Sequence, residues 1–246
     1  MNLQDIEFEL HTHTIQSGHA YGTFTEMVKE AKDKGLKAIG ITDHGPALPD
    51  APYYFYFQNL KVLPRNLFGI DVLVGAELNC IDYKGTLDLD EERIKNLDIR
   101  LVGLHTPAYK IGNEEENTSA YLNLCKNPQI DCIVHPDDSN IPVDYEKLVK
   151  CAKEHDVLLE VNNNSLRAIW KKNVRENLII MLNLCKKYDN KVVLASDAHY
   201  MSDIKNLQNC IDICKEVGIK SDNIVNFQYS QFKEFINSKR KNERGL

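Results

Sequence analysis

Seven short apolar runs, most of them closing on a residue type that binds metals, decide what this chain can fold into. They cover residues 6–10, 37–42, 71–76, 99–104, 131–134, 157–161 and 191–195. Rich in Val, Ile and Leu, they read as strands covered on both faces. Helix-length segments separate them. Thr23 and Glu26 form a capping box that opens one helix, which runs to about residue 34 before Gly35. Others are expected over 118–126, 144–154 with Asp144 as cap, 175–188, 203–217 and 230–238. The stretch 46–64 carries the aromatic run Tyr53, Tyr54, Phe55, Tyr56, Phe57 and reads as a long loop with a short helix near its end, lying over the strand ends. Strands alternating with helices form parallel βαβ units.

The polar residues choose between a barrel and an open sheet. The strand ends supply His11, His13, His19, His44, Glu77, His105, His135, Asp197 and His199, seven of the eight histidines among them. The eighth, His155, ends a helix, where a cation is favoured by the dipole. A barrel brings all its strand C-termini to one mouth, whereas an open sheet gathers only a few at a switch point. The expected fold is therefore α/β, a seven-stranded barrel, as one domain over residues 1–246.

Composition narrows the partners. The net charge of −6 argues against a large nucleic-acid footprint. Seven cysteines form an odd count without a C-x-x-C pair. They read as buried free thiols, and with no N-terminal apolar segment they point to the cytoplasm. No apolar run reaches the length of a membrane span.

Nine nitrogen and oxygen ligands exceed what one ion takes, so two or three ions with a bridging carboxylate are expected. Without thiolate ligands, hydrolytic zinc, manganese or iron fits better than a structural zinc. Clustered cations suit phosphate-ester hydrolysis, because they acidify water and stabilise both attacking and leaving oxygens.

The motifs His11-x-His13-Thr14-x-x-Ser17-x-His19-Ala20-Tyr21, Thr42-Asp43-His44-Gly45-Pro46, Gly75-x-Glu77, Gly103-x-His105, His135-Pro136 and Ser196-Asp197-x-His199 together resemble the PHP (polymerase and histidinol phosphatase) superfamily. The likeness is greatest to its YcdX-type phosphatases and spans essentially the whole chain. It implies a distorted (β/α)7 TIM-like barrel with three divalent ions, zinc first. It further implies one ion on His11, His13, Glu77 and Asp197, a second on Glu77, His105 and His135, and a third on His19, His44 and His199. A homo-oligomer, on this resemblance a trimer, and a small phosphorylated substrate are also implied. The expected activity is phosphomonoester hydrolysis by metal-activated water. The alternatives are a phosphodiesterase or 3′ exonuclease on the same site, since the module also occurs in DNA polymerases, and a non-catalytic metal- or phosphate-binding module, which would have lost ligands.

Three further residues are candidates. Asp43 is an acid or a ligand-orienting carboxylate, Arg65 a phosphate contact placed by the resemblance, and Asn162 a substrate contact at a strand end. Asp137-Asp138-Ser139 after His135-Pro136, and Leu166-Arg167-Ala168 after Asn164, depart from the family pattern at the mouth and bear on substrate choice. The basic tail 239–244 is expected to be a solvated end.

Overall fold

A computed structural model describes residues 1–243 of the chain. Its strands are β1 (Phe8–Glu9), β2 (Ala38–Ile41), β3 (Asn66–Leu67), β4 (Ile70–Asn79), β5 (Ile99–Gly103), β6 (Cys132–Ile133), β7 (Leu158–Asn162) and β8 (Val192–Ala195). Seven are parallel, in the order β1-β2-β4-β5-β6-β7-β8. The short β3 pairs antiparallel with the start of β4. The helices are α1 (Phe24–Asp33), α2 (Tyr54–Asn59), α3 (Glu91–Ile94), α4 (Glu114–Lys126), α5 (Tyr145–Glu154), α6 (Asn163–Arg167), α7 (Val174–Tyr188), α8 (Gln208–Val217) and α9 (Tyr229–Glu243). None of the described helices is long and apolar enough to cross a membrane. The expected α/β barrel is what the chain forms.

Local chemistry explains where elements begin. The Thr23 hydroxyl accepts from Glu26 N while Glu26 closes back on Thr23 N at 2.9 Å, the predicted box. Helix α4 starts four residues earlier than expected, because Asn113 and Glu116 form a second box. Helix α8 starts later, residues 201–203 being a single 3-10 turn.

Alternate strand residues face opposite ways. Phe8, Leu10, Ala38, Ile99, Leu101, Cys132, Val134, Leu158 and Val193 meet in one buried cluster inside the barrel. Helix α9 plugs its N-terminal end with Tyr229, Phe232 and Ile236, and Phe232 stacks on Phe8 at 4.6 Å. The opposite strand faces pack under the surrounding helices. All seven cysteines are buried and free.

The tail corrects an expectation. Lys239 donates to the carbonyls of Ile130 and Asp156, each at 2.8 Å, and Arg240 pairs with Asp131. Both side chains fasten α9 to the barrel base, so this part of the tail is docked. Arg244 lies outside the described residues.

The barrel is nearly closed. Between β8 and β1 a bridge joins Thr12 to Ala198, and His13 N donates to Ala198 O at 2.9 Å. Lower down, side chains stand in for a ladder. Asn226 accepts from Leu194 N at 2.7 Å and donates to Leu194 O at 2.9 Å and Phe8 O at 3.1 Å. Glu9 accepts from Ser196 N at 2.6 Å.

Candidate metal centre

Glu77 lies in the last turn of the pleat of β4 and is fully buried. Five imidazoles surround it. Its Oε1 is 2.9 Å from His105 Nε2 and 2.7 Å from His135 Nε2. Its Oε2 is 2.6 Å from His44 Nδ1, 3.3 Å from His11 Nε2 and 3.5 Å from His13 Nε2. Across from it, Asp197 Oδ1 lies 3.5 Å from His11 Nε2 and 3.1 Å from His13 Nε2. His19 Nε2 is 3.2 Å from His44 Nε2, and the His19 and His199 rings stack at 4.9 Å. All nine strand-end candidates therefore meet at one mouth, at the C-terminal ends of the strands.

The residues fit divalent ions on two observations. Ligand atoms held about 2.1 Å from a tetrahedral ion sit about 3.4 Å from one another. The four contacts between the imidazole nitrogens of His11 and His13 and the carboxylate oxygens of Glu77 and Asp197 span 3.1–3.5 Å. In addition, His11 Nε2 and His13 Nε2 are buried with no hydrogen-bond partner. Buried polar atoms are rarely left unpaired, so two side by side call for a further group. Three donor groups are compact enough to hold an ion: His11 with His13 and Asp197, His44 with Glu77 and His105, and His13 with His44 and His199.

The sequence reading missed the groups that aim these ligands. Glu160 Oε1 is 2.7 Å from His11 Nδ1, and its Oε2 accepts from His135 N at 2.9 Å. Asn79 Oδ1 is 2.7 Å from His105 Nδ1, and Ser17 Oγ is 3.1 Å from His13 Nδ1. Each leaves the other ring nitrogen facing the cluster, which is how ligand tautomers are set. One signal was available: Glu160 and Asn79 are polar residues inside strands buried on both faces.

The electrostatics keep the two central carboxylates charged. Burial alone would push the Glu77 carboxyl up, but the imidazoles, His11 first, hold it well below its ordinary value. Asp197 is held down in the same way by His11 and His13. Burial disfavours charge on His11, yet Glu160, Glu77 and Asp197 outweigh it and raise its pKa. His13 goes the other way: burial, reinforced by His44 and His199, keeps it neutral. Two of the nine candidates also sit in the left-handed backbone region, His135 at φ 34° and Asp197 at φ 54°. Such conformations cost energy and concentrate at functional sites.

Gly103 lies directly beneath His105 and His135. A Cβ there would come within 2.9 Å of Cε1 of both His105 and His135, so the glycine of this motif serves close approach.

The three further candidates separate. Asp43 is fully buried beside the cluster and accepts from Thr14 N, Thr14 Oγ1, Ser17 Oγ and Tyr56 OH. Asn162 is also buried, its amide donating to Glu160 at 2.9 Å and to Asp197 at 3.3 Å. Arg65 is not brought to the site. Its Nε pairs with Asp98 at 2.6 Å, its guanidinium donates to the carbonyls of Leu60 and Leu63, and it lines a cleft with Asp71 and α9. That cleft is at the N-terminal end of the barrel, opposite the mouth, because residues 63–66 lead into the β3–β4 hairpin. The phosphate contact expected of Arg65 is corrected accordingly.

The comparisons with known proteins agree with this architecture. A family model described as the PHP domain matches residues 9–211. The chain is 41% identical over 233 residues to a "probable phosphatase" of Clostridium novyi (strain NT), covering 95% of each. It is 44% identical over 237 residues to a "probable phosphatase" of Caldicellulosiruptor saccharolyticus, covering 96% of this chain and 98% of that one. Among solved structures it is similar to the histidinol phosphate phosphatase of Lactococcus lactis, complexed with zinc, L-histidinol and phosphate. That match has a TM-score of 0.59 at 15% identity over 87% of this chain and 95% of the other, a likeness of fold. With the family model spanning most of its length and nine ligand-type side chains gathered at the mouth of its barrel, this chain belongs to the PHP family.

Proposed function

We propose that the protein is a metal-dependent phosphatase acting on small phosphomonoesters. The observation that carries this is the 3.1–3.5 Å spacing of nitrogen and oxygen donors between His11, His13, Glu77 and Asp197. The names of its relatives support the same reading. On this proposal three ions are held, by His11, His13, Glu77 and Asp197, by Glu77, His105 and His135, and by His19, His44 and His199. Zinc suits these ligands first, with manganese and iron also compatible. When bound, such ions supply an acidified water for attack on phosphorus and positive charge for the phosphoryl oxygens.

The chain's own residues supply position. Glu77 offers one oxygen to His105 and His135 and the other to His11, His13 and His44, so it bridges. Glu160, Asn79 and Ser17 hold the imidazoles in the tautomer that presents a lone pair to the cluster. Asn162 orients Asp197 by donating to it. Asp43 already accepts four hydrogen bonds; we assign it to holding the His13–His19 loop and not to protonating the leaving group.

The test is turnover of p-nitrophenyl phosphate and of its bis ester by protein stripped with chelator and reloaded with Zn²⁺ or Mn²⁺. Monoester hydrolysis that is lost on stripping and restored on reloading is expected. Preference for the diester would move the assignment to a phosphodiesterase. Turnover of neither ester by metal-loaded protein would overturn both.

A further inference from the structure

The segment after His44 is wired into the ligand cluster by one side chain. Tyr56, on α2, donates its hydroxyl to Asp43 Oδ2 at 2.5 Å. Thr14 Oγ1 donates to the same oxygen at 2.9 Å. Asp43 Oδ1 accepts from Thr14 N and from Ser17 Oγ, both at 2.7 Å. A carboxylate has about four acceptor positions, so this one is saturated.

Saturation fixes what lies beyond it. The single proton of the Ser17 hydroxyl goes to Asp43, leaving Ser17 Oγ only to accept. It accepts from His44 N at 3.2 Å, and its remaining position faces His13 Nδ1 at 3.1 Å. His13 must therefore carry its proton on Nδ1. Its Nε2, which has no hydrogen-bond partner, is left with a free lone pair 3.1 Å from Asp197 Oδ1. Asp43, Ser17 and His13 are all fully buried, so no solvent competes with this order.

We infer that Tyr56 is a positioning residue for the metal centre, fixing His13 as an Nε2 ligand through Asp43 and Ser17. The inference rests on the metal reading proposed above. Without the phenol, Asp43 Oδ2 keeps only the Thr14 hydroxyl, and the carboxylate can tilt about its two Thr14 bonds so that Oδ1 moves off Ser17 Oγ. The Ser17 hydroxyl is then free to point at His13 Nδ1, which moves the imidazole proton to Nε2 and removes the lone pair. The ring itself is not required for this, so Tyr56→Phe isolates the hydroxyl.

The experiment measures retained zinc against stepped chelator for the parent, Tyr56→Phe, Ser17→Ala and the double variant, with melting of each metal-free form alongside. Partners of metal-ligating histidines typically contribute 10- to 100-fold in metal affinity. Tyr56→Phe is expected to hold zinc roughly 10-fold more weakly, at the low end because it acts at two removes. Ser17→Ala is expected to lose at least as much, and the double variant no more than Ser17→Ala alone. Parent affinity in Tyr56→Phe, or losses that multiply in the double variant, would overturn the inference and leave the metal reading standing. A lowered melting temperature in Tyr56→Phe with unchanged affinity would reduce Tyr56 to a packing role and overturn it equally. A parent that takes up no zinc would overturn the metal reading and this inference with it.

Discussion

The Glu160 carboxylate lies 2.7 Å from His11 Nδ1 while its other oxygen accepts from the backbone of His135. One buried side chain thus aims two candidate ligands 124 positions apart in the sequence. Replacing Glu160 with Ala is expected to lower zinc affinity by about 10- to 100-fold, the range seen for such partners. Chelator competition checks it. Unchanged affinity would show that the packing around His11 suffices.

Glu77 has a different role, since it touches five imidazoles. Glu77→Ala is expected to lower the metal content of the purified protein together with its rate of ester hydrolysis, and elemental analysis separates the two. A variant that kept the parent's metal and lost only rate would contradict the bridging assignment.

Gly103→Ala tests crowding. The added methyl would lie 2.9 Å from Cε1 of His105 and of His135. The imidazoles must shift, so metal content should fall even though no ligand is removed. Far-ultraviolet circular dichroism is expected to match the parent, because β5 ends at this residue.

At the seam, Asn226→Ala removes the partner of Leu194 N, Leu194 O and Phe8 O. Leaving buried polar groups unpaired costs about 1–3 kcal/mol each, so a loss near 3 kcal/mol is a conservative figure for the site. For a chain of this size that is a fall in Tm of roughly 6–12 °C, read by calorimetry. A change under 2 °C would mean that water replaces the amide.

Acid stability has a contributor outside the candidate metal centre. Hydrogen bonds from Tyr188, then Lys187 and Lys150, lower the Glu146 carboxyl to about 2. A depressed carboxyl stabilises the fold above its unfolded value and loses that contribution as pH falls from there toward its folded value. Glu146→Gln should therefore melt slightly below the parent at pH 7, and the gap should shrink as pH falls below about 4.5. Because the Glu146 side chain is 45% exposed the effect is small, and 1 M salt should reduce it. A gap that widened in acid would reverse the sign of this argument.

The strands and their ligands were legible because burial on both faces forces apolar runs and the barrel forces its polar ends to one mouth. Thr23 and Asp144 marked helix starts, since caps are local chemistry. Glu160 and Asn79 were not picked out, because their roles depend on which imidazole lies opposite, a relation set across 149 and 26 residues of sequence separation. Arg65 went astray for a related reason. A basic residue after a proline says nothing of which end of the barrel it occupies, and the β3–β4 hairpin turns it to the base. Lys239 and Arg240 look solvated in sequence, yet the carbonyls and the Asp131 carboxylate that receive them come from the β5–β6 and α5–β7 connections.

The nearly closed barrel gives the first metal group a mechanical meaning. His11 and His13 follow β1, Asp197 follows β8, and the two strands meet along an edge joined by a bridge at Thr12 and by the side chains of Asn226 and Glu9 rather than by a full ladder. An ion held by these three residues, as proposed above, would be a clasp on that edge, tying His11 and His13 to a residue more than 180 positions later. Loading the centre would then reinforce a seam that the bridge and these side chains already hold. Amide protection along residues 8–13 and 192–198 would rise together as metal is added, while the opposite wall at β5 and β6 stays as it was.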